Sequence, residues 1–309
     1  MHSLSKEILE KYQVRQRKKQ KTEFIEWLKP QLEKEGYAVN VEVANTIGGS
    51  RNIVVGNPET AKYIFAGHYD TCAAMPFPNF LTPKNIFMFM LYQLVLVVVL
   101  LVPSAAAWLA ILCFTQNIFL AQLGLIAVLV FFTYMLIAGV PNKHTANDNT
   151  SGVITLIESA ISMPKNLRDN VAYIFFDNEE KGLLGSSAYY AAHKKMMRDK
   201  VLINFDCVSD GDEIYVVPKG LAKKDLQLQD MLAGAFLPKE GKKVIVDKGF
   251  FIYPSDQASF KKGVAVCSMK RMKLLGLYIS RIHTPRDTVM DEANIELIRE
   301  AMQRIAAAR

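Results

Sequence analysis

Cysteine is scarce: Cys72, Cys113, Cys207 and Cys267 are scattered, with no C-x-x-C pair. A disulfide-stapled mini-protein is excluded; a reducing compartment fits, and pairing of the four stays open. No H-E-x-x-H, G-x-S-x-G or P-loop pattern occurs, so the hydrolase and nucleotide readings tied to those motifs have no footing. The first 84 residues hold no apolar run of signal-peptide length, so cleavage and secretion are not expected. Internal repeats and low-complexity linkers are missing. Charge is missing locally: from Asn85 to Asn142 there is no Asp, Glu, Lys or Arg. The 37 Lys+Arg and 30 Asp+Glu of the 309-residue chain all lie elsewhere. That composition, 50% hydrophobic, excludes a disordered or collagen-like chain. The uncharged stretch is long enough for only two bilayer crossings, which excludes a multi-span transporter.

Within that stretch, residues 86–114 and 118–140 read as two apolar helices. Thr115-Gln116-Asn117 is the turn between them, and Pro103-Ser104 interrupts the first. Each half exceeds the ~20 residues needed to cross a bilayer. A pair of buried core helices is the competing reading. A buried helix in a domain of this size seldom exceeds ~15 residues, and here two adjoin without a charge. The expectation is therefore a transmembrane hairpin, residues 85–142, inserted in one globular domain formed by residues 1–84 and 143–309. Lys84 and Lys143 flank its open ends. The positive-inside rule then places the domain in the cytoplasm of a two-pass membrane protein.

The net charge is +7, part of it in Arg15-Gln16-Arg17-Lys18-Lys19-Gln20-Lys21. That run reads as a solvated helix face, with contact to anionic lipid as the sharper alternative. No aromatic-basic interleaving and no recognition motif is present, so no nucleic-acid partner is expected. Residues 3–34 suggest one helix. Short β-branched runs at 37–43, 52–55, 63–67, 171–176, 201–205, 214–217, 244–246 and 264–267 read as strands. Helices are expected at 150–162, 183–197, 224–236 and 294–308. Strands alternating with helices predict an α/β fold, a three-layer sandwich around a mixed, mostly parallel sheet.

Acidic and histidine residues gather at the ends of these strands. His68 and Asp70 close one, Asp148 precedes the helix at 150, Glu179-Glu180 close another, and Asp206 a third. His283 lies in Arg281-Ile282-His283-Thr284-Pro285. In an open α/β sheet such ends converge on the ligand crevice. His68, Asp148, Glu180, Asp206 and His283 together suit a pair of divalent ions. Singly, each has a duller role as cap, turn residue or surface charge. His144 and His193 are read as structural.

In order along the chain, His68-x-Asp70, Asn147-Asp148-Asn149-Thr150-Ser151-Gly152, Glu179-Glu180-x-Gly182-Leu183-Leu184-Gly185-Ser186, Asn204-Phe205-Asp206, Ser255-Asp256 and His283-Thr284-Pro285-x-Asp287 resemble the M28 family of zinc aminopeptidases. The Arg51-Asn52 strand is typical of its start. The resemblance covers everything but the insert, which replaces a short loop between His68 and Asp148. It implies two Zn²⁺, other divalent ions being possible: Asp148 bridges them, His68 and Asp206 complete one site, Glu180 and His283 the other. It implies Glu179 as general base and Asp70 as the group that fixes the tautomer of His68. Two such ions against three carboxylates leave about one excess positive charge. It also implies a cis peptide bond between Asp148 and Asn149. Asp256 and Asp287 are read as structural, as caps or loop-binding residues.

The activity expected is removal of N-terminal residues from peptides. A glutaminyl-cyclase-like acyltransferase and a non-catalytic membrane scaffold of the same fold are the alternatives. Phe250-Phe251-Ile252-Tyr253 and Ile282 are candidates for an apolar pocket. The oligomeric state is not legible. About eight residues join Val140 to Asp148 and span at most ~29 Å, so the site is expected to face the bilayer.

Overall fold

The computed structural model of the chain describes residues 2–46, 48–239 and 241–308. Helices α1 (Ser3–Lys11) and α2 (Lys18–Lys34) lead into strands β1 (Val39–Ala44), β2 (Ser50–Val55) and β3 (Tyr63–His68). A two-residue strand β4 (Phe80–Leu81) precedes the long helices α3 (Ile86–Thr115) and α4 (Ile118–Ala138). Then come α5 (Gly152–Ser162), β5 (Val171–Phe176), α6 (Leu184–Ala192), α7 (Lys194–Met197), β6 (Val201–Phe205) and β7 (Glu213–Pro218). The chain closes with α8 (Leu226–Ala235), β8 (Lys243–Val246), β9 (Gly263–Met272), β10 (Gly276–Ser280) and α9 (Glu292–Ala307).

The described strands form one mixed sheet, ordered β1-β2-β5-β3-β6-β9-β10-β4, with β7 and β8 branching from β9. Its centre, β5-β3-β6-β9, is parallel, and the flanks at β1-β2-β5 and β9-β10-β4 are antiparallel. The central strands are apolar on both faces, as a sheet covered on both sides requires. In β5, Val171, Tyr173 and Phe175 enter the core beneath α2, α5 and α9, while Ala172, Ile174 and Phe176 pack towards Tyr189 of α6 and Phe260. These layers are the expected sandwich.

Two expected helices are broken. Residues 12–17 separate α1 from α2 because Arg15 turns inward. It is fully buried; its guanidinium donates to the carbonyls of Tyr69 and Tyr12 and to Thr150 Oγ1 (3.1 Å). Lys21 is buried too, paired with Asp177 and donating to Asn178 Oδ1 at 2.7 Å. The basic run is thus not a wholly solvated face: Arg17, Lys18 and Lys19 are exposed, while Arg15 and Lys21 are internal counter-charges. The helix expected at 183–197 divides at His193, which ends α6 and pairs with Glu42 at 2.7 Å. Helix α3 runs through Pro103, where the sequence suggested an interruption.

Both long helices are long and apolar enough to cross a membrane, and their surface is largely exposed. Asn117 caps α4, its side chain accepting from the N–H groups of Phe119 and Leu120.

Candidate active site

The parallel strands deliver their carboxyl ends to one edge of the sheet. His68 is the last residue of β3 and lies beside Phe176 of β5 in register, so the loop after β5 begins next to it. That loop carries Glu179 and Glu180, Asp206 follows β6, and Asp148 lies just before α5. His283 follows β10 and reaches the same edge from the antiparallel flank. The sequence-expected group therefore comes together. His68 Nε2 stands 3.4 Å from Asp148 Oδ1 and 3.5 Å from Asp206 Oδ1. His283 Nε2 stands 3.1 Å from Asp148 Oδ2 and 3.2 Å from Glu180 Oε2. The two oxygens of Asp148 thus face one imidazole each. Ligand atoms, one per residue, from His68, Glu179 and Asp206 lie within 4.8 Å of one another.

Asp148 is held by its neighbours. The Asp287 carboxylate accepts the N–H groups of Asn147 (2.7 Å) and Asp148 (3.0 Å). Asn147 Oδ1 accepts from the N–H groups of Ser209 and Asp210, and Asn149 Nδ2 donates to the carbonyl of Phe205 (2.9 Å). The two asparagines stitch the Asp148 turn to the loop that carries Asp206. The Asp148–Asn149 peptide bond is cis, as the resemblance implied.

A model of peptidase family M28 matches residues 135–308. The chain belongs to peptidase family M28. Among solved structures it is similar to a Porphyromonas gingivalis glutaminyl cyclase, with 16% identity over 97% of this chain and 96% of that one, and a TM-score of 0.61. A Zn-dependent exopeptidase from Parabacteroides distasonis gives 14% identity over 99% and 97%, with a TM-score of 0.61. The Legionella pneumophila LapA aminopeptidase gives 14% identity over 98% and 67%, with a TM-score of 0.60. At such identity these likenesses speak for the fold. A search of curated proteins finds no match to the sequence.

Asp70 does more than expected of it within this M28 site. Its carboxylate accepts the N–H groups of Glu179 (3.0 Å) and Glu180 (3.3 Å), which fixes the loop carrying both acids. Of the Asp70 oxygens, the carbonyl lies 3.1 Å from His68 Nδ1 and the carboxylate Oδ1 3.6 Å. Either acceptor assigns the proton to Nδ1 and leaves the Nε2 lone pair facing the cluster.

Electrostatically the pocket is an excess of buried acid. Burial pushes Glu180 up to about 8, with Asp148 adding to it against His283. Burial likewise raises Glu179 well above the carboxylate range, helped by Glu180, Asp256 and Asp206 and opposed by His68. Burial disfavours the charged form of His283, but Glu180 and Asp148 override it and lift it to about 9. His68 is raised in the same way, against burial, by Glu179 and the carboxylates it contacts. Asp148 is held well below its ordinary range: burial would raise it, and hydrogen bonds from His283 and His68 win. Asp70 is lowered too, against burial, by Lys21 and His68. Such a set lacks positive charge, and a divalent cation is what would supply it.

The walls were only partly legible. Tyr253 and Ile282 line the cavity as expected; Phe251 lies in the core and Phe250 is exposed. Sequence reasoning missed Phe89, Tyr92, Gln93 and Leu96, the first turns of α3, which complete the cavity of about 440 Å³. Its one hint is Tyr92-Gln93, a polar pair in an otherwise apolar run. It also missed Cys72, whose Sγ lies within 4.8 Å of ligand atoms of Glu180 and His283, and Cys207, likewise beside Asp148 and Asp206.

Proposed function

We propose that this M28 protein is a membrane-tethered, zinc-dependent aminopeptidase with two metal sites, its hairpin 85–142 in the bilayer and its catalytic domain in the cytoplasm. The observation that carries the reading is the Asp148 carboxylate placed between two imidazoles, each completed by a further carboxylate. Donor atoms of a tetrahedral zinc site with bonds of ~2.0–2.1 Å stand about 3.3 Å apart. The donor separations here are 3.1–3.5 Å. Glu180 Oε1 and Asp206 Oδ1 are buried without a hydrogen-bond partner among the described residues, as atoms awaiting a cation would be. His68, Asp148 and Asp206 would hold one ion, and His283, Asp148 and Glu180 the other. Each set leaves a fourth position open.

When bound, zinc supplies Lewis acidity and lowers the pKa of nearby water. The chain's own residues do the rest. Glu179 takes a proton from the water that attacks the scissile carbonyl. The C–O bond forms in that first step; Glu179 then returns the proton to the leaving amine, and the C–N bond breaks as the amine departs. Asp70 keeps Glu179 and Glu180 in place through their N–H groups and orients His68.

The test is zinc content together with a panel of aminoacyl anilides and glutaminyl peptides. Two zinc per chain with anilide hydrolysis is expected, and Glu179→Gln should keep the metal while losing about 10²–10⁴-fold in turnover. One metal with cyclisation of glutaminyl peptides would replace the hydrolase with an acyltransferase. Full activity of Glu179→Gln would remove its role as base.

A further inference from the structure

The hairpin is bolted to the active site at both ends. At its entry, Asn85 caps α3 by accepting the N–H of Met88 at 3.1 Å, and Lys84 pairs with Asp247. Tyr92 is buried; its hydroxyl donates to the Pro78 carbonyl at 3.2 Å and its ring lies 4.6 Å from that of Phe80. At its exit, the Val140 carbonyl accepts from the N–H of Ala74 and the Asn142 N–H donates to the Cys72 carbonyl. The same segment reaches the site, where the Met75 N–H donates to the carbonyl of His283 at 2.7 Å.

The two helices are unequal. Helix α3 has 30 residues and α4 has 21, and a Cβ on Gly124 would abut Ile111 of the partner helix. Extending that register to Ala138 places the end of α4 near residue 97 of α3. The first turns of α3 therefore overhang by about nine to eleven residues, or ~14–16 Å at 1.5 Å per residue. A helix of 21 residues is just long enough for the hydrocarbon layer. The overhang then crosses the headgroup layer, about 5–8 Å deep, and ends beyond it. It is the stretch whose Phe89, Tyr92, Gln93 and Leu96 line the cavity with His68, Asp148 and His283.

We propose that the root of α3 is the wall of the substrate site, and that the substrate is a peptide presented from the membrane interface with an apolar N-terminal residue laid against Phe89 and Leu96. This deepens the peptidase reading and rests on it. A free α-amine meets the carboxylates on one side of the cavity and the first side chain meets α3 on the other. A chain already lying in the bilayer surface needs only a short lead to reach the cavity.

The test uses the full chain in nanodiscs and single-span peptides with an N-terminal leucine, followed by a polar spacer of zero to twelve residues before the bilayer-spanning segment. Leucine release should reach its plateau at about four or five spacer residues, the number that bridges the overhang when extended. A plateau only at ten or more overturns the proposal. Phe89→Ala and Leu96→Gln should each lower the leucine-over-alanine preference in kcat/KM on soluble anilides about tenfold; an unchanged ratio also overturns it. No turnover of any substrate by zinc-loaded protein would refute the peptidase reading instead. Binding then still decides the wall: a short-spacer peptide carrying nitrotyrosine should quench Phe89→Trp fluorescence in the Glu179→Gln background. Absence of quenching there counts against the proposal.

Discussion

Lys21 and Asp177 are both almost wholly buried, side by side behind the loop of Glu179 and Glu180. Asp177 also accepts the N–H of Arg51 at 3.0 Å. Removing one partner leaves the other as an uncompensated buried charge, a loss of about 3–5 kcal/mol. Lys21→Met should therefore lower the melting temperature by roughly 10 °C. The double variant Lys21→Met/Asp177→Asn should recover part of that loss; a single variant that melts like the parent would show the pair to be dispensable. At this scale the sequence reveals the site better than its support. Two histidines and four acids at strand ends are conspicuous because charged groups are rare beside apolar strands. Lys21 and Arg15 are not, since a basic residue in a hydrophilic helix looks the same whether it faces water or a carboxylate far along the chain.

Among elements, the Asp148 turn meets α5 and β6 with no room to spare. A Cβ on Gly152 would lie 2.3 Å from the Phe205 carbonyl and 2.4 Å from Asn149 Oδ1. Neither can yield easily: the first belongs to β6, and the second accepts the N–H groups of Gly152 and Cys207. Gly152→Ala must push α5 away from β6, at a cost of about 1–3 kcal/mol. It would move Asp148 with it. Zinc affinity should fall about 10–100-fold, as when outer supports of a metal ligand are lost. Competition with a chromogenic chelator would measure it, and unchanged affinity would mean that the turn is not set by this packing. The hairpin shows the complementary limit on reading elements from sequence. Its existence is legible because charge disappears for the length of two helices. Its share in the cavity is not, because Phe89 and Leu96 are the same apolar residues whether they face lipid, core or substrate.

Over the whole molecule, the buried acid makes stability depend on pH in a definite direction. Glu180 moves from 4.5 in an unfolded chain to about 8, Asp287 from 3.8 to about 8, mainly through burial, and His283 from 6.5 to about 9. In each case the folded protein holds a proton that the unfolded chain has released. Stability from these groups is therefore fully present below their unfolded values and is lost as pH rises towards 8 or 9. Asp148 acts in the opposite sense, but only below the ordinary carboxylate range, where acid would protonate it. The metal-free protein should thus melt highest near pH 4 and progressively lower from about pH 4.5 to 9, most steeply above pH 6.5 where His283 joins the two acids. Zinc inverts the balance. Its donors must be deprotonated to bind, so binding releases protons and strengthens as pH rises, and the bound form gains stability by mass action. The increase in melting temperature on adding zinc to chelator-treated protein should be small at pH 5.5 and large at pH 8.5. A metal-free protein whose melting temperature holds steady or climbs over that interval, or an equal zinc effect at both values, would mean that the acids are neutralised by something other than a divalent ion.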